Sequence, residues 1–297
     1  MTTPIKSIEE LQNALRDRLY VADRGLATAI YLSLKLGRPL FLEGEAGVGK
    51  TEVAKVLTEV LDTDLIRLQC YEGLDIYHAV YEWNYTRQMM HIRVLEARGE
   101  RVEEKDLFGP EFLLRRPLLQ AIEGSRDKAP VLLIDEIDRS DEEFEAFLLE
   151  ILSDFQISIP EIGTIKADRP PVVVITSNRT REVHDALKRR CLYYWIDYPT
   201  FEKELEIVNA KVPKASAELA RQVTAFIQDL RKGDLYKVPG VAETLDWTAA
   251  LVELDQKKLE ENIVAETLCV ILKYQDDVEK VKKNDVGATL ARINVMQ

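Results

Sequence analysis

Apolar residues recur at steps of three and four along the start of the chain, at Ile8, Leu11, Leu15 and Leu19 and again at Ala22, Leu26, Ile30 and Leu34. That spacing predicts amphipathic helix, stopped by Gly37, Arg38 and Pro39. PLFLEG (39–44) is apolar without a helical period and predicts a buried parallel strand. From Lys50 the helical pattern returns, with Val53, Val56, Leu57, Val60 and Leu61 on one face, and LIRLQC (65–70) predicts a second strand. Residues 71–110 read as an inserted segment, in which Tyr71, Tyr77, Tyr81, Trp83 and Tyr85 precede a charged helical stretch running to Lys105. A helix is expected over Glu111–Glu123 in spite of Pro117. PVLLID (130–135) follows as a buried strand, and then a helix turns Phe144, Phe147, Leu148, Ile151 and Leu152 inward.

QISIPEIGTIKA alternates around a glycine-containing turn and predicts a β-hairpin at about 156–168. PPVVVITSN (170–178) and LYYWID (192–197) complete a set of five apolar strands. Strands alternating with helices predict an α/β fold with a mostly parallel five-stranded sheet flanked by helices. Beyond Pro199 only helical patterns remain, at Val223, Phe226, Ile227 and Leu230 and later at Leu251, Leu259, Ile263, Leu268 and Ile271. Two domains are therefore expected, an α/β core over 1–200 and a small all-helical domain over 201–297. The length of 297 residues agrees, at a prior of about 150 residues per domain.

Composition narrows the classes. Hydrophobic residues at 46% and charged residues at 31% exclude a disordered chain. The net charge of −12 argues against a protein that coats nucleic acid or anionic membrane by bulk charge, though a local basic groove stays open. No apolar run approaches the roughly 20 residues of a membrane span. The N-terminus, MTTPIKSIEELQNALRDRL, carries charges where a signal peptide needs its apolar stretch. Three cysteines, Cys70, Cys191 and Cys269, stand far apart without a CxxC pair, which fits a reducing compartment. The three histidines form no HExxH or HxxxH pair, so no zinc site is expected. A cytoplasmic protein is the expectation.

Gly44-Glu45-Ala46-Gly47-Val48-Gly49-Lys50-Thr51 matches GxxxxGK[ST] at every fixed position and lies between a predicted strand and a predicted helix. Glycines let backbone N–H groups converge on phosphate oxygens, and the helix that follows points its positive end at the same charge. Lys50 is placed to neutralise β- and γ-phosphates and the Thr51 hydroxyl to hold Mg²⁺. The alternative is a glycine-rich strand-to-helix turn that happens to include Lys, which the combined motif and context disfavour. Four apolar residues then lead to Asp135 and Glu136. Asp135 is a candidate Mg²⁺ ligand through water, and Glu136 a candidate base for the attacking water; adjacent acids at a strand end also start helices. Asn178, ending the VVVITSN strand, would share the carboxyl edge of the sheet and reach a γ-phosphate or the lytic water. Ser-Asn there is otherwise ordinary turn chemistry. Lys188-Arg189-Arg190 is either a solvated partner of a helix dipole or, from a neighbouring subunit, an arginine finger.

This set resembles the AAA+ ATPases. Gly44–Thr51 is similar to the Walker A loop, Ile134-Asp135-Glu136 to Walker B, Asn178 to sensor 1 and Arg189-Arg190 to the finger position. The 156–167 hairpin and IDEIDRS, with Arg139 four residues after Asp135, resemble the MoxR branch. QCYEGLD and AVYEWNYTRQ resemble its CoxD subgroup, associated with carbon monoxide dehydrogenase gene clusters. The resemblance covers about 20–200, and the helical lid only by position. It implies a P-loop AAA+ core with a lid, ATP and Mg²⁺ as ligands, and a homo-oligomeric ring of six copies with nucleotide at the interfaces. It further implies a von Willebrand A-domain co-chaperone and a molybdenum hydroxylase client whose metal centre is matured. In this frame Arg190 acts in trans, with Arg189 as second choice. One departure stands out. The stretch Pro239–Trp247, where such lids offer a sensor 2 arginine, holds no Arg or Lys, and Lys237 nearby reads as a solvated charge.

Trp83 and Tyr85 either grip a client or pack the insertion onto the core, with packing favoured for Trp83. Trp247 reads as lid core, and Cys70 and Cys191 as apolar fillers. Besides an ATP-driven chaperone, two other functions are weighed. One is a nucleotide-driven motor on nucleic acid, disfavoured by the lack of a Lys/Arg-rich face. The other is a nucleotide-switched regulator with little turnover, disfavoured by the intact Asp135 and Glu136.

Overall fold

Helix α1 (Ile8–Arg16) ends where Leu19 takes a left-handed backbone (φ 60°) and the Tyr20 amide reaches back to the Leu15 carbonyl at 3.0 Å. This closure of the last turn splits the apolar spacing of the first 36 residues into α1 and α2 (Arg24–Leu36). The computed structural model describes residues 5–103, 107–124, 128–283 and 286–295. After α2 it runs through β1 (Leu40–Gly44), α3 (Lys50–Leu61), β2 (Leu65–Gln69), α4 (Ile76–Ala79), β3 (Tyr81–Trp83), α5 (Tyr85–Ala97) and β4 (Leu113–Arg115). Next come α6 (Pro117–Glu123), β5 (Val131–Asp135), α7 (Glu142–Asp154), β6 (Gln156–Ile159), β7 (Gly163–Lys166), β8 (Val172–Ser177), α8 (Asp185–Arg190) and β9 (Leu192–Ile196).

Two expectations for the inserted segment are corrected. The helix predicted to reach Lys105 stops at Ala97, where the Arg98 and Gly99 amides bond the final carbonyls; Lys105 itself lies outside the described residues. The helix predicted over Glu111–Glu123 is a 3-10 turn (Pro110–Phe112), then β4, then α6. Pro117 is the cause. It holds Arg116 extended (φ −98°, ψ 169°) and serves as the first residue of α6. The three residues before Arg116 instead pair antiparallel with β3, Leu113 opposite Trp83. Trp83 is buried against Phe108 and Tyr81, whereas Tyr85 is exposed.

The main sheet has the order β2-β5-β8-β1-β9, and the pairs β2–β5, β5–β8 and β1–β8 are parallel. Uninterrupted apolar runs form its middle. Every residue of β1 and β5 is buried, while β2 at the edge is only partly so. β6 and β7 form the expected hairpin, with Gln156 opposite Lys166 and Ile159 opposite Gly163. Phe144, Leu148, Ile151 and Leu152 of α7 are buried as expected, and Phe147 only half-buried.

The chain divides into two compact units. One comprises Arg24–Glu43 and Thr51–Trp195 with the N-terminal residues through Leu11, and contains Cys70 and Cys191 in its core. The other comprises Gln12–Asp23, Gly44–Lys50 and the residues from Ile196 onward. The second unit is helical from α9 (Phe201–Lys211) through α10 (Ala217–Lys232), α11 (Val241–Glu253), α12 (Glu261–Ile271) and α13 (Gln275–Lys283) to α14 (Val286–Val295). Its core gathers Val223, Phe226, Ile227, Leu251, Leu268 and Trp247, whose indole N–H donates to Thr267 at 2.8 Å.

Candidate functional site

Within the second unit, Gly44–Lys50 curls around the Lys50 ammonium. That group is buried and donates to the carbonyls of Gly44 (2.7 Å) and Glu45 (2.6 Å). Three glycines are required by geometry, Gly49 by its φ of +93°. A Cβ on Gly44 would fall 2.2 Å from the Ile196 carbonyl oxygen, and Gly47 has φ +78°. Glu45 and Ala46 are exposed, Gly47 and Gly49 half-exposed and Val48 buried. At its glycines the loop carries no side chain over the backbone, as an anion cradle requires. The Tyr20 ring lies 3.9 Å from the position a Gly49 Cβ would take.

The lid stretch without a basic residue meets this loop directly. Gly240 caps α11, its amide donates to Glu243 (2.9 Å), and the Ala242 amide donates to the Gly47 carbonyl (3.1 Å). A Cβ on Gly240 would stand 2.8 Å from the Ala46 carbonyl oxygen, so the two backbones touch there. Arg231 holds the preceding turn through the Pro239 carbonyl (2.8 Å). Its guanidinium also pairs with the fully buried Glu204 (2.7 Å through each Nη) and lies over the Tyr198 ring (4.7 Å). Glu204 further accepts from Gln228 and Thr244, each at 2.7 Å. Lys237 is exposed.

Within the first unit, the carboxyl ends of β5 and β8 bring the predicted acids together. Asp135 Oδ1 accepts from the Thr51 hydroxyl (3.0 Å) and the Thr176 hydroxyl (2.6 Å). Thr176 in turn accepts the Glu136 amide (2.9 Å), fixing Glu136 in a left-handed backbone (φ 56°, ψ 53°). A non-glycine residue held there is uncommon and clusters at functional sites. The Glu136 carboxylate is only one-third exposed. It accepts from Gln69 (3.0 Å) and Arg139 (3.3 Å) on Oε2, and from the Asn178 amide group (3.3 Å) on Oε1. Asp138, buried, receives the Asn178 and Thr180 amides at 3.1 and 2.9 Å and so orients the loop after β8. Burial, with Asp135 the next cause, pushes the neighbouring Cys70 thiol up to about 12.

Thr51, Asp135, Glu136 and Asn178 thus form one hydrogen-bonded group. Arg189 and Arg190 do not join it. Both are exposed on α8, where Arg190 donates to the Leu149 carbonyl (2.8 Å). Arg38 donates to the carbonyls of Arg189 (2.7 Å) and Arg190 (3.1 Å), capping that helix end. Lys188 is turned to the buried Glu43 at 3.6 Å. The residues that pattern reading passed over are Arg67, Gln69, Asp138 and Thr176. Only Arg67 and Gln69 left a signal, as polar residues two apart in an otherwise apolar strand.

The sequence profile of the AAA domain, dynein-related subfamily, matches residues 39–191, just over half of the chain, and takes in Thr51, Asp135, Glu136 and Asn178. The chain belongs to the dynein-related AAA family. The chain is 25% identical over 203 residues to an uncharacterized protein of Staphylococcus aureus (strain bovine RF122 / ET3-1), spanning 66% of this chain and 69% of that one. Its backbone is similar to that of Thermotoga maritima RuvB, described as a Holliday junction branch migration motor. There the TM-score is 0.46 and identity 17%, over 90% of this chain and 72% of RuvB. A Cytophaga hutchinsonii protein provisionally described as an ATPase gives a TM-score of 0.47 and 15% identity, over 96% and 95% of the two chains. At TM-scores below 0.5 these likenesses carry nothing about what the AAA domain acts on. A P-loop ATPase fold implies nucleotide binding, and no helix among the described residues is long and apolar enough to cross a membrane.

Proposed function

We propose that this AAA domain hydrolyses ATP with Mg²⁺ and uses the cycle to remodel a partner enzyme. One observation carries the hydrolytic reading: Thr51, Asp135, Glu136 and Asn178 share a hydrogen-bonded group at the carboxyl edge of a parallel sheet, where ligands of open α/β sheets bind. The residues suit both ligands. Gly44, Gly47 and Gly49 hold positive-φ backbone that side chains rarely adopt, the loop chemistry of a phosphate site, and the Thr51 and Asp135 oxygens, 3.0 Å apart, are the hard donors Mg²⁺ takes. Bound by Thr51 and, through water, by Asp135, Mg²⁺ would neutralise charge on the β- and γ-phosphates. Lys50 and the amides of Gly44–Thr51 bind those phosphates. Glu136 orients the attacking water and takes its proton, and Asn178 holds the same water or the γ-phosphate. Arg190, or else Arg189, reaches from its exposed helix to nucleotide on the next copy of a six-membered ring.

The partner reading rests on the resemblance to the MoxR branch and its CoxD subgroup. It predicts a cytoplasmic chaperone, working with a von Willebrand A-domain protein on a molybdenum hydroxylase of the carbon monoxide dehydrogenase type. The β6–β7 hairpin and the IDEIDRS segment support the branch. A nucleic-acid motor gains nothing from a chain of net charge −12. Glu136→Gln tests the chemistry: turnover should fall about 10²- to 10⁴-fold while fluorescent nucleotide still binds, and a wild type no faster than the variant defeats the reading. The same variant, used as a trap in the native organism, should retain a molybdenum enzyme or an A-domain protein. Recovery of nucleic acid alone would overturn the chaperone assignment.

A further inference from the structure

Strand β2 alternates, so Arg67 and Gln69 fall on one side of the sheet edge, in register opposite Leu133 and Asp135. Arg67 donates twice to Asp135 Oδ2, from Nε (3.1 Å) and Nη2 (2.5 Å), while the Thr51 and Thr176 hydroxyls donate to Oδ1. An ionised carboxylate has about four acceptor sites, and four donors fill them. A divalent cation, or the water it carries, therefore reaches Asp135 only if a donor yields. Thr176 is buried and simultaneously bound to the Glu136 amide. Thr51 can turn a lone pair to the metal and keep its hydrogen on Asp135. The Arg67 side chain is half exposed, is repelled by a second cation, and has Gln69 Oε1 (2.5 Å) as another acceptor.

We propose that Arg67 is the positioning residue that sets metal demand: it competes with the divalent cation for Asp135 and withdraws toward Gln69 and solvent when metal binds. This rests on the reading that Thr51 and Asp135 hold Mg²⁺. A purely structural ion pair predicts a different result, because its loss would loosen Asp135 and raise the metal requirement.

The test is mant-ADP binding by the full chain, titrated with Mg²⁺, for wild type, Arg67→Gln and Arg67→Lys. Half-saturating Mg²⁺ should fall about fivefold in Arg67→Gln, as expected for removal of a half-exposed competing pair. Arg67→Lys, which keeps the charge but loses the two-pronged contact, should fall about twofold. An unchanged or raised Mg²⁺ requirement in the folded variants overturns the inference, and if Arg67→Gln does not fold the Lys variant decides alone. A wild type that binds mant-ADP without any response to Mg²⁺ defeats the underlying metal reading instead, so the two failures are distinct.

Discussion

Replacing Arg231 by Met should destabilise the helical unit by about 4 kcal/mol. Glu204 is fully buried and Arg231 nearly so, and removing one member of a buried pair leaves an uncompensated charge at a cost of about 3–5 kcal/mol. Gln228 and Thr244 still donate to Glu204, which holds that part near the lower end. The Pro239 carbonyl loses its donor and the Tyr198 ring its cation, adding about 1 kcal/mol between them. Removing the carboxylate as well, in Glu204→Leu/Arg231→Met, should recover about 2 kcal/mol. Gln228 retains the Pro199 carbonyl and Thr244 the Gly240 carbonyl as acceptors. Urea unfolding of the full chain gives the measurement, with Trp83 and Trp195 changed to Phe so that the buried Trp247 reports alone. A single variant that loses less than about 1 kcal/mol, or a double variant no more stable than the single, would refute the reasoning.

Gly240→Ala places a methyl 2.8 Å from the Ala46 carbonyl oxygen; it should weaken mant-ADP binding about tenfold and stability by about 1–3 kcal/mol, read by titration and melting. Arg38→Ala uncaps the end of α8 and should cost about 1–2 kcal/mol, with faster amide exchange at Cys191, measured by hydrogen–deuterium exchange. Cys70 and Cys191 are buried with thiols pushed up to about 12 by that burial, and Cys269 is exposed. A thiol reagent at neutral pH should therefore modify one cysteine in the native protein and three after unfolding. The two raised pKa values also fix a direction. Their contribution to stability is whole below pH 9, where unfolded thiols are still protonated, and declines as pH rises from there toward 12. An unfolding midpoint that increases across that range would contradict it.

Elements whose burial is uniform were legible from composition along the chain: β1, β5 and β8 are apolar runs, and the loop after β1 carries its chemistry in glycines and a lysine. Asp135, Glu136 and Asn178 were legible because they end such runs. What escaped depends on partners far along the chain. Thr176 matters only because β8 lies beside β5, and Arg67 only because β2 lies on β5's other side. The Glu111–Glu123 run has apolar residues at helical spacing, yet Pro117 imposes an extended residue before it, and pairing with β3 decides the rest. Leu19 has the right spacing for a helix and the wrong backbone, since its left-handed turn sets up the return bond from Tyr20.

The contact of Gly47 with Gly240 joins positions 193 residues apart, and it orders events during synthesis. A nascent chain that has emerged through Trp195 already contains every strand of the main sheet except the last residue of β9. Its phosphate loop, however, still awaits Ile196, whose carbonyl packs on Gly44, and the turn at Gly240. Closing so long a loop is slow, so the sheet can assemble before the ribosome delivers the segment that shapes the loop. Nucleotide supplied to ribosome-bound intermediates should accordingly protect none of them until the residues of α11 are clear of the exit tunnel.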